Sequence, residues 1–378
     1  MKIKGIDIWP VDIPYKNTYT SSRGALTKGS AVIIRIKTDE GIDGIGEASF
    51  IFPDRSGETV HTVPIILQKH LAPILMNKDP FNIEEIMREL DKCSCEDYSF
   101  VYSKAAIDIA LYDIMGKALN KPVAELIGGI KRNQMEVGRS MSIKTSTEMV
   151  DDAIKYYQMG YKMLTLKGSA DWQADIECFK AVREALPPDF PLEIDSNQAY
   201  SVEAAITLLK ELAGANLVNL EQPVEWWNLA GMAQITASSP VPITADESVM
   251  GVADIKNIIE MKAADQITIK LARDGGIHAA MKMVSTANTG GLSCNMGSKH
   301  TFGIGTAAII HFSAAQTNII EPLGYGSPLE RFVDDVINED IPFAKGRVSL
   351  PEGPGLGVTL NMDKIRKYSN DQKLSLEV

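Results

Sequence analysis

The sequence predicts an α/β protein: a (β/α)8 barrel of the TIM type, with an N-terminal α+β capping domain that the C-terminal tail completes. Eight short β-branched runs recur at intervals of roughly 24 to 28 residues, about the length of one βα unit. Helical stretches such as "STEMVDDAIKYYQMG" and "SVEAAITLLKELAGA" separate them, and that alternation reads as a parallel sheet. The beginning and end of the chain lack the alternation.

Residues 1–127 are expected to form the capping domain. "KIKGIDIWPVDIP" and "SAVIIRIKTDEGIDGIGEA" carry alternating apolar residues, β-branched side chains and a Gly-rich turn, the pattern of a small antiparallel sheet. Helical spacing follows. In "SKAAIDIALYDIMGKALN" it places Ala106, Ile109, Ala110 and Asp113 along one face before Pro122 ends the run. The barrel is expected over 128–345, with strands near Ser140, Lys167, Asp195, Glu221, Asp246, Lys270, Cys294 and Glu321. The last segment, 346–378, contains "GRVSLPEGPGLGVTLN", whose Gly/Pro punctuation suits a return to the capping domain better than a ninth βα unit.

Composition narrows the partners. The 378-residue chain is 45% hydrophobic, ample for a core, and carries a net charge of −11 with no basic run. Nucleic acid and anionic membranes are therefore not expected partners. The opening "MKIKGIDIWPV" lacks the apolar segment of a secretory signal, and nowhere do eighteen apolar residues run together, so a soluble cytoplasmic protein is expected. Four cysteines, Cys93, Cys95, Cys178 and Cys294, are too few and scattered for a disulfide framework. The "CSC" pair lacks a second Cys/His pair at zinc-site spacing and reads as free thiols in a loop.

Polar residues close the apolar strands. "PLEIDSN" ends in Asp195 and Asn197, "LVNLEQP" in Glu221, "VPITADES" in Asp246 and Glu247, "QITIK" in Lys270, and "KMLTLKGS" in Lys167. The carboxyl ends of barrel strands face one mouth, where such folds keep their active sites. Asp195, Glu221 and Asp246 therefore converge from three successive strands, and like charges gathered there call for a compensating cation. An all-oxygen donor set suits Mg²⁺ better than zinc. Single carboxylates in such places often cap the following helix instead.

Lys167 on the second strand and Lys270 on the sixth are opposed in a ring of eight. A substrate carboxylate held on the metal between them would have a more acidic α-proton, because the enediolate that forms adds negative charge to oxygens near the cation. One lysine takes the proton and the other returns it, provided its pKa is lowered enough to act as a base.

These motifs resemble the enolase superfamily, specifically the mandelate racemase and muconate lactonising enzyme group. The resemblance covers essentially the whole chain through "KAAIDIALYDIMGK", "PVAELIGG", "LKGS", "DSNQAY", "EQP", "ADES", "KLARDGG" and "LPEGPGLGV". It implies that Asp195, Glu221 and Asp246 are metal ligands and that Lys167 and Lys270 are an acid/base pair acting with one Mg²⁺. Asn197 and Glu247 would orient those groups. The muconate-lactonising branch usually has Lys-x-Lys at the end of the second strand; here Thr165 replaces the first lysine, so it can only hydrogen-bond. The mandelate-racemase branch uses an Asp on the sixth strand with a His on the seventh, a pattern that Lys270 breaks. His300 is then expected to contact substrate or to shape its loop. Symmetric dimers or octamers are common in the family, which implies a homo-oligomer.

Substrate-selecting residues are expected in Tyr19 to Ser22, which includes Thr20, and in Phe50 to Phe52, with Trp226 and Trp227 after the fourth strand. The paired tryptophans either pack on the next helix or form an aromatic wall for an apolar or cationic amine group. "IPYKNTYTSSRG" and "YSKAAIDIALYDIMGK" are similar to members acting on proline derivatives, including proline-betaine epimerases and cis-3-hydroxyproline dehydratase. The expected reaction is Mg²⁺-dependent α-proton abstraction from a small carboxylate, an amino acid or proline-like derivative, ending in racemisation or epimerisation. Dehydration by β-elimination and cycloisomerisation use the same site. A Schiff-base barrel aldolase and a non-catalytic binding protein are the readings from other classes.

Overall fold

The computed structural model describes residues 1–50, 55–94, 99–324, 327–341, 343–369 and 374–377; Ile51, Phe52 and Cys95 lie outside the described residues. An antiparallel sheet opens the chain. Ile3–Ser21, Gly24–Thr38 and Gly44–Phe50 pair in sequence, and Leu374–Glu377 adds a fourth strand beside the first. The tail thus completes the capping sheet. It is also tied down at a bridge between Pro122 and Gly355 and by Leu356, whose N–H donates to Asp113 Oδ1 at 2.9 Å.

The helix Val101–Leu119 lies across this sheet. Its approach is close because Gly44 and Gly46 carry no Cβ; a methyl at Gly46 would collide with the Ala106 carbonyl oxygen. Gly46→Ala is therefore expected to destabilise the fold by about 2 to 3 kcal/mol, through overpacking against backbone that cannot yield. The check is a lower urea midpoint at unchanged slope.

The sequence pattern suggested one apolar face on this helix, yet nearly its whole circumference is buried. Its second side meets the barrel, which explains the buried Asp108. Asp108 accepts from the backbone N–H groups of Ile277 and His278, at the start of the barrel helix Ile277–Thr289. Glu47, from the capping sheet, does the same for the helix Gly303–Ala315, accepting from Phe302 N at 2.7 Å and Gly305 N at 2.8 Å. A helix start leaves N–H groups without partners and carries a partial positive charge, so a carboxylate from the cap satisfies both.

Seven parallel strands form the barrel wall in sequence order: Arg139–Met141, Leu164–Lys167, Leu192–Asp195, Leu217–Glu221, Ile243–Ala245, Gln266–Ile269 and Ser293–Met296. The eighth position is an irregular segment, 319–324. It bridges the seventh strand at Cys294–Ile319 and Gly297–Gly324, and the first side of the wall at Val137–Leu323. The ring closes there. All eight expected positions are occupied, and no helix among the described residues is long and apolar enough to cross a membrane.

Candidate active site

A cavity opens at the carboxyl ends of the barrel strands beneath the capping sheet, whose Tyr19, Ser21 and Arg23 line one side. Strand alternation determines what the barrel contributes. On the second strand Leu164 and Leu166 are buried while Thr165 and Lys167 line the cavity; on the third, Glu193 and Asp195 do so. Register then sets Lys167, Asp195 and Glu221 side by side on adjacent strands.

Each outer carboxylate holds a lysine. Asp195 Oδ2 accepts from Lys167 Nζ, and Asp246 Oδ2 accepts from Lys270 Nζ. Glu221 lies between them and accepts from Thr268 Oγ1 at 2.7 Å. Burial, then the Asp195 and Asp246 carboxylates, push the Glu221 pKa well above the usual carboxylate range. Burial also opposes charge on Asp246, but Lys270 and Arg273 outweigh it and hold that carboxyl ionised. Glu247, beside them, is raised by burial and by Asp246 and Asp195.

Both lysines are likewise buried. Desolvation disfavours their charge, yet Asp195 raises the Lys167 pKa well above its ordinary value, and Asp246 raises that of Lys270. The lowered pKa that a base requires is thus opposed by the carboxylates that grip each ammonium.

The donor set suits a hard divalent cation in its all-oxygen chemistry and its strand order. Asp195, Glu221 and Asp246 stand on consecutive strands, and Glu221 carries the electrostatic cost of its two neighbours. Among the described residues no three His, Cys, Asp or Glu side chains are placed closely enough to hold a metal ion. Asp195 and Asp246 are each turned onto a lysine, the arrangement that neutralises two buried carboxylates when ammoniums are the nearest cations.

Supporting contacts hold the set in place. Asn197 N donates to Asp195 Oδ1 at 2.9 Å, and its side-chain amide donates to Glu247 Oε1 at 3.0 Å. Thr165 Oγ1 donates to Glu193 Oε1 at 2.9 Å, so its hydroxyl is engaged by a neighbour that also lines the cavity. Asn219 donates to the other Glu193 oxygen at 2.9 Å, and burial pushes the Glu193 pKa up to about 7.

The substrate-selecting expectations divide. Tyr19 and His300 line the cavity. Thr20 does not; its backbone N–H donates to Ser142 Oγ at 2.7 Å. Phe50 packs on Tyr102 with ring centroids 4.7 Å apart. Trp226 and Trp227 form no aromatic wall, for Trp226 stacks under the Arg55 guanidinium at 4.2 Å and Trp227 is 64% exposed. A short turn after the fourth strand carries both rings outward past the mouth.

Two arginines escaped the sequence reading. Arg273 is 2% exposed and donates to Asp246 Oδ1 at 2.6 Å and to the Asp246 carbonyl at 2.8 Å. Its place three residues after Lys270, in "KLARDGG", was the available signal. Arg331 lines the cavity from a segment with no strand pattern to announce it.

Comparison with known proteins covers nearly the whole chain. Residues 6–128 match the model of the mandelate racemase / muconate lactonizing enzyme N-terminal domain, and residues 148–364 match the enolase C-terminal domain-like model. The chain belongs to the mandelate racemase/muconate lactonizing enzyme family. An N-succinyl-L-Arg/Lys racemase of Bacillus cereus is 33% identical over 373 residues, 98% of each chain. The crystal structure of the N-succinyl Arg/Lys racemase from Bacillus cereus superposes with a TM-score of 0.94 at 31% identity, covering 100% of both chains. A dipeptide epimerase from Enterococcus faecalis, complexed with Mg and the dipeptide L-Leu-L-Tyr, gives a TM-score of 0.88 at 32% identity over 95% of this chain and 100% of that one.

Proposed function

We propose that the protein is a Mg²⁺-dependent racemase or epimerase that inverts Cα of a small N-substituted α-amino acid, proline-like acids included. The observation that carries this reading is the placement of two amines, Lys167 and Lys270, on opposed barrel strands that flank a carboxylate-lined cavity. A racemase needs that arrangement, because the proton must leave one face of Cα and return to the other. The Mg-bound epimerase structure and the racemase relatives support the same class.

Asp195, Glu221 and Asp246 would hold the cation, whose charge stabilises the negative charge that builds on the substrate carboxylate as the α-proton leaves. Lys167 and Lys270 exchange roles with the direction of reaction. The one facing the α-hydrogen accepts it as a free amine; the other, as an ammonium, donates to the opposite face. Asn197 and Arg273 keep Asp195 and Asp246 in position, and Tyr19 with the residues around it excludes water above the reacting carbon.

Incubation of single enantiomers with the Mg²⁺-loaded protein in D₂O tests the reading. Deuterium at Cα together with inversion is the expected outcome. Loss of water from a hydroxylated substrate, or ring closure of an unsaturated diacid without inversion of any amino acid, would replace it with a dehydratase or cycloisomerase. Inactivation by borohydride plus substrate would point to a Schiff base instead.

A further inference from the structure

We propose that the Tyr19 hydroxyl relays protons between Lys167 and solvent through a polar side cavity, which makes Tyr19 a positioning residue for proton exchange at that lysine. The inference deepens the racemase reading, for it rests on Lys167 carrying protons to and from the substrate. Inversion places a proton on one lysine and removes one from the other, so each turnover leaves the pair out of balance. Exchange with solvent has to restore it.

A side cavity supplies the path. It adjoins the main cavity, shares Tyr19, Ser140 and Arg331 with it, and has a volume of about 70 Å³. One water needs roughly 10 to 15 Å³, so several fit. Every residue that lines this cavity has a polar side chain. Its charges are mixed, Asp152 and Glu330 against Arg139, Lys144 and Arg331, so no wall of a single sign repels a passing proton. The ion pair of Lys144 with Asp152, at 2.7 Å, is partly exposed and marks the outer end.

The junction of the two cavities lies beside Lys167. Ser140 pairs in register with Thr165, and Lys167 follows two residues later on the same face, whereas Lys270 stands just beyond the sixth strand across the barrel. Of the capping residues Tyr19, Ser21 and Arg23, only Tyr19 also lines the side cavity. After burial and Asp195, it is the group that acts most on the charge of Lys167, which places hydroxyl and amine close together.

Tyr19 is fixed along its length and free at its tip. Its ring meets His300 edge-on with centroids 4.4 Å apart. The next residue is tied to the chain after the first barrel strand: Thr20 N donates to Ser142 Oγ at 2.7 Å, and its carbonyl accepts from Ile143 N at 3.0 Å. Among the described residues, none hydrogen-bonds the Tyr19 hydroxyl. It can therefore accept from the Lys167 ammonium while donating to a water in the side cavity. The N–H bond of Lys167 breaks as the tyrosine oxygen gains that proton, and the tyrosine's own proton passes to water. The ring keeps bulk water off the reacting carbon while the hydroxyl lets a proton through.

Protein labelled with ¹⁵N-lysine and loaded with Mg²⁺ tests this without any substrate. Transfer of water magnetisation to the Lys167 and Lys270 ammoniums, assigned by their loss in Lys167→Arg and Lys270→Arg, gives the two exchange rates. Tyr19→Phe is expected to slow exchange at Lys167 about tenfold and to leave Lys270 unchanged; the effect is smaller than the loss of a group acting directly on substrate, because water replaces the hydroxyl in part. Ser140→Val, which fills the junction between the cavities, is expected to act in the same way. An unchanged or faster rate at Lys167 in Tyr19→Phe, or equal slowing at both lysines, overturns the proposal, since the ring then only covers the mouth. The two readings fail separately. Selective slowing in a protein that inverts no amino acid keeps the relay and removes the racemase, whereas inversion without selective slowing does the reverse.

Discussion

Replacing Lys167 by alanine is expected to lower turnover by about 10²- to 10⁴-fold, the usual contribution of a positioned acid or base. The stereochemistry of what remains is more informative than the loss. With Lys167 gone, Lys270 still faces one side of Cα, so one enantiomer should continue to exchange its α-hydrogen with D₂O while inversion stops. Lys270→Ala should show the mirror image, exchanging only the other enantiomer. This follows from the positions of the two amines, one at the end of the second strand and the other just beyond the sixth. If both variants retained exchange with the same enantiomer, the amines would share one face of the substrate and the inversion mechanism would fail.

Glu221→Gln is expected to have opposite effects on stability and on activity. Burial and the Asp195 and Asp246 carboxylates disfavour the charge on Glu221. An amide of the same shape relieves that repulsion and can keep a contact with Thr268, so in EDTA the variant should melt at or above the temperature of the unsubstituted protein. In Mg²⁺ the order should reverse. The unsubstituted protein gains stability from the bound cation, about 2.7 kcal/mol when Mg²⁺ is a hundredfold above its dissociation constant, and the variant gains much less. Turnover should fall to background in the variant and, after EDTA dialysis, in the unsubstituted protein. Thermal melts with and without Mg²⁺ read both signs. A variant less stable than its parent in EDTA would mean that Glu221 supports the fold rather than the ion.

Much of the architecture was legible because its signals are periodic. The interval between strands located all eight barrel positions, and the residues that close them, Lys167, Asp195, Glu221 and Lys270, all line the cavity. Asp246 is close by but turned back onto Lys270 and Arg273. Sequence spacing places a Cα atom on a strand; it does not say which of several neighbours a carboxylate chooses. The tryptophans show a similar limit. Trp226 and Trp227 follow the correct strand, but the direction of the turn after it decides whether the rings face the mouth or solvent, and no periodicity encodes that direction. Arg331 was invisible for a related reason, since its segment returns to the cavity through irregular chain. Glu193 was hidden by its own strand, where "PLEIDSN" drew attention to its end and not to the carboxyl two residues earlier.

The acidic residues with which the cap closes the barrel's helices bear on how the molecule comes apart. Were the cap to detach, Glu47 and Asp108 would each leave a barrel helix with an open first turn. Heating should therefore produce one endotherm rather than two, and a barrel expressed without its cap should not hold its shape. The entrance is bound by the same constraint. Substrate is then expected to reach the cavity past the hairpin tip around Tyr19 and Arg23, which lines it, and not by the cap tilting off as a hinged cover.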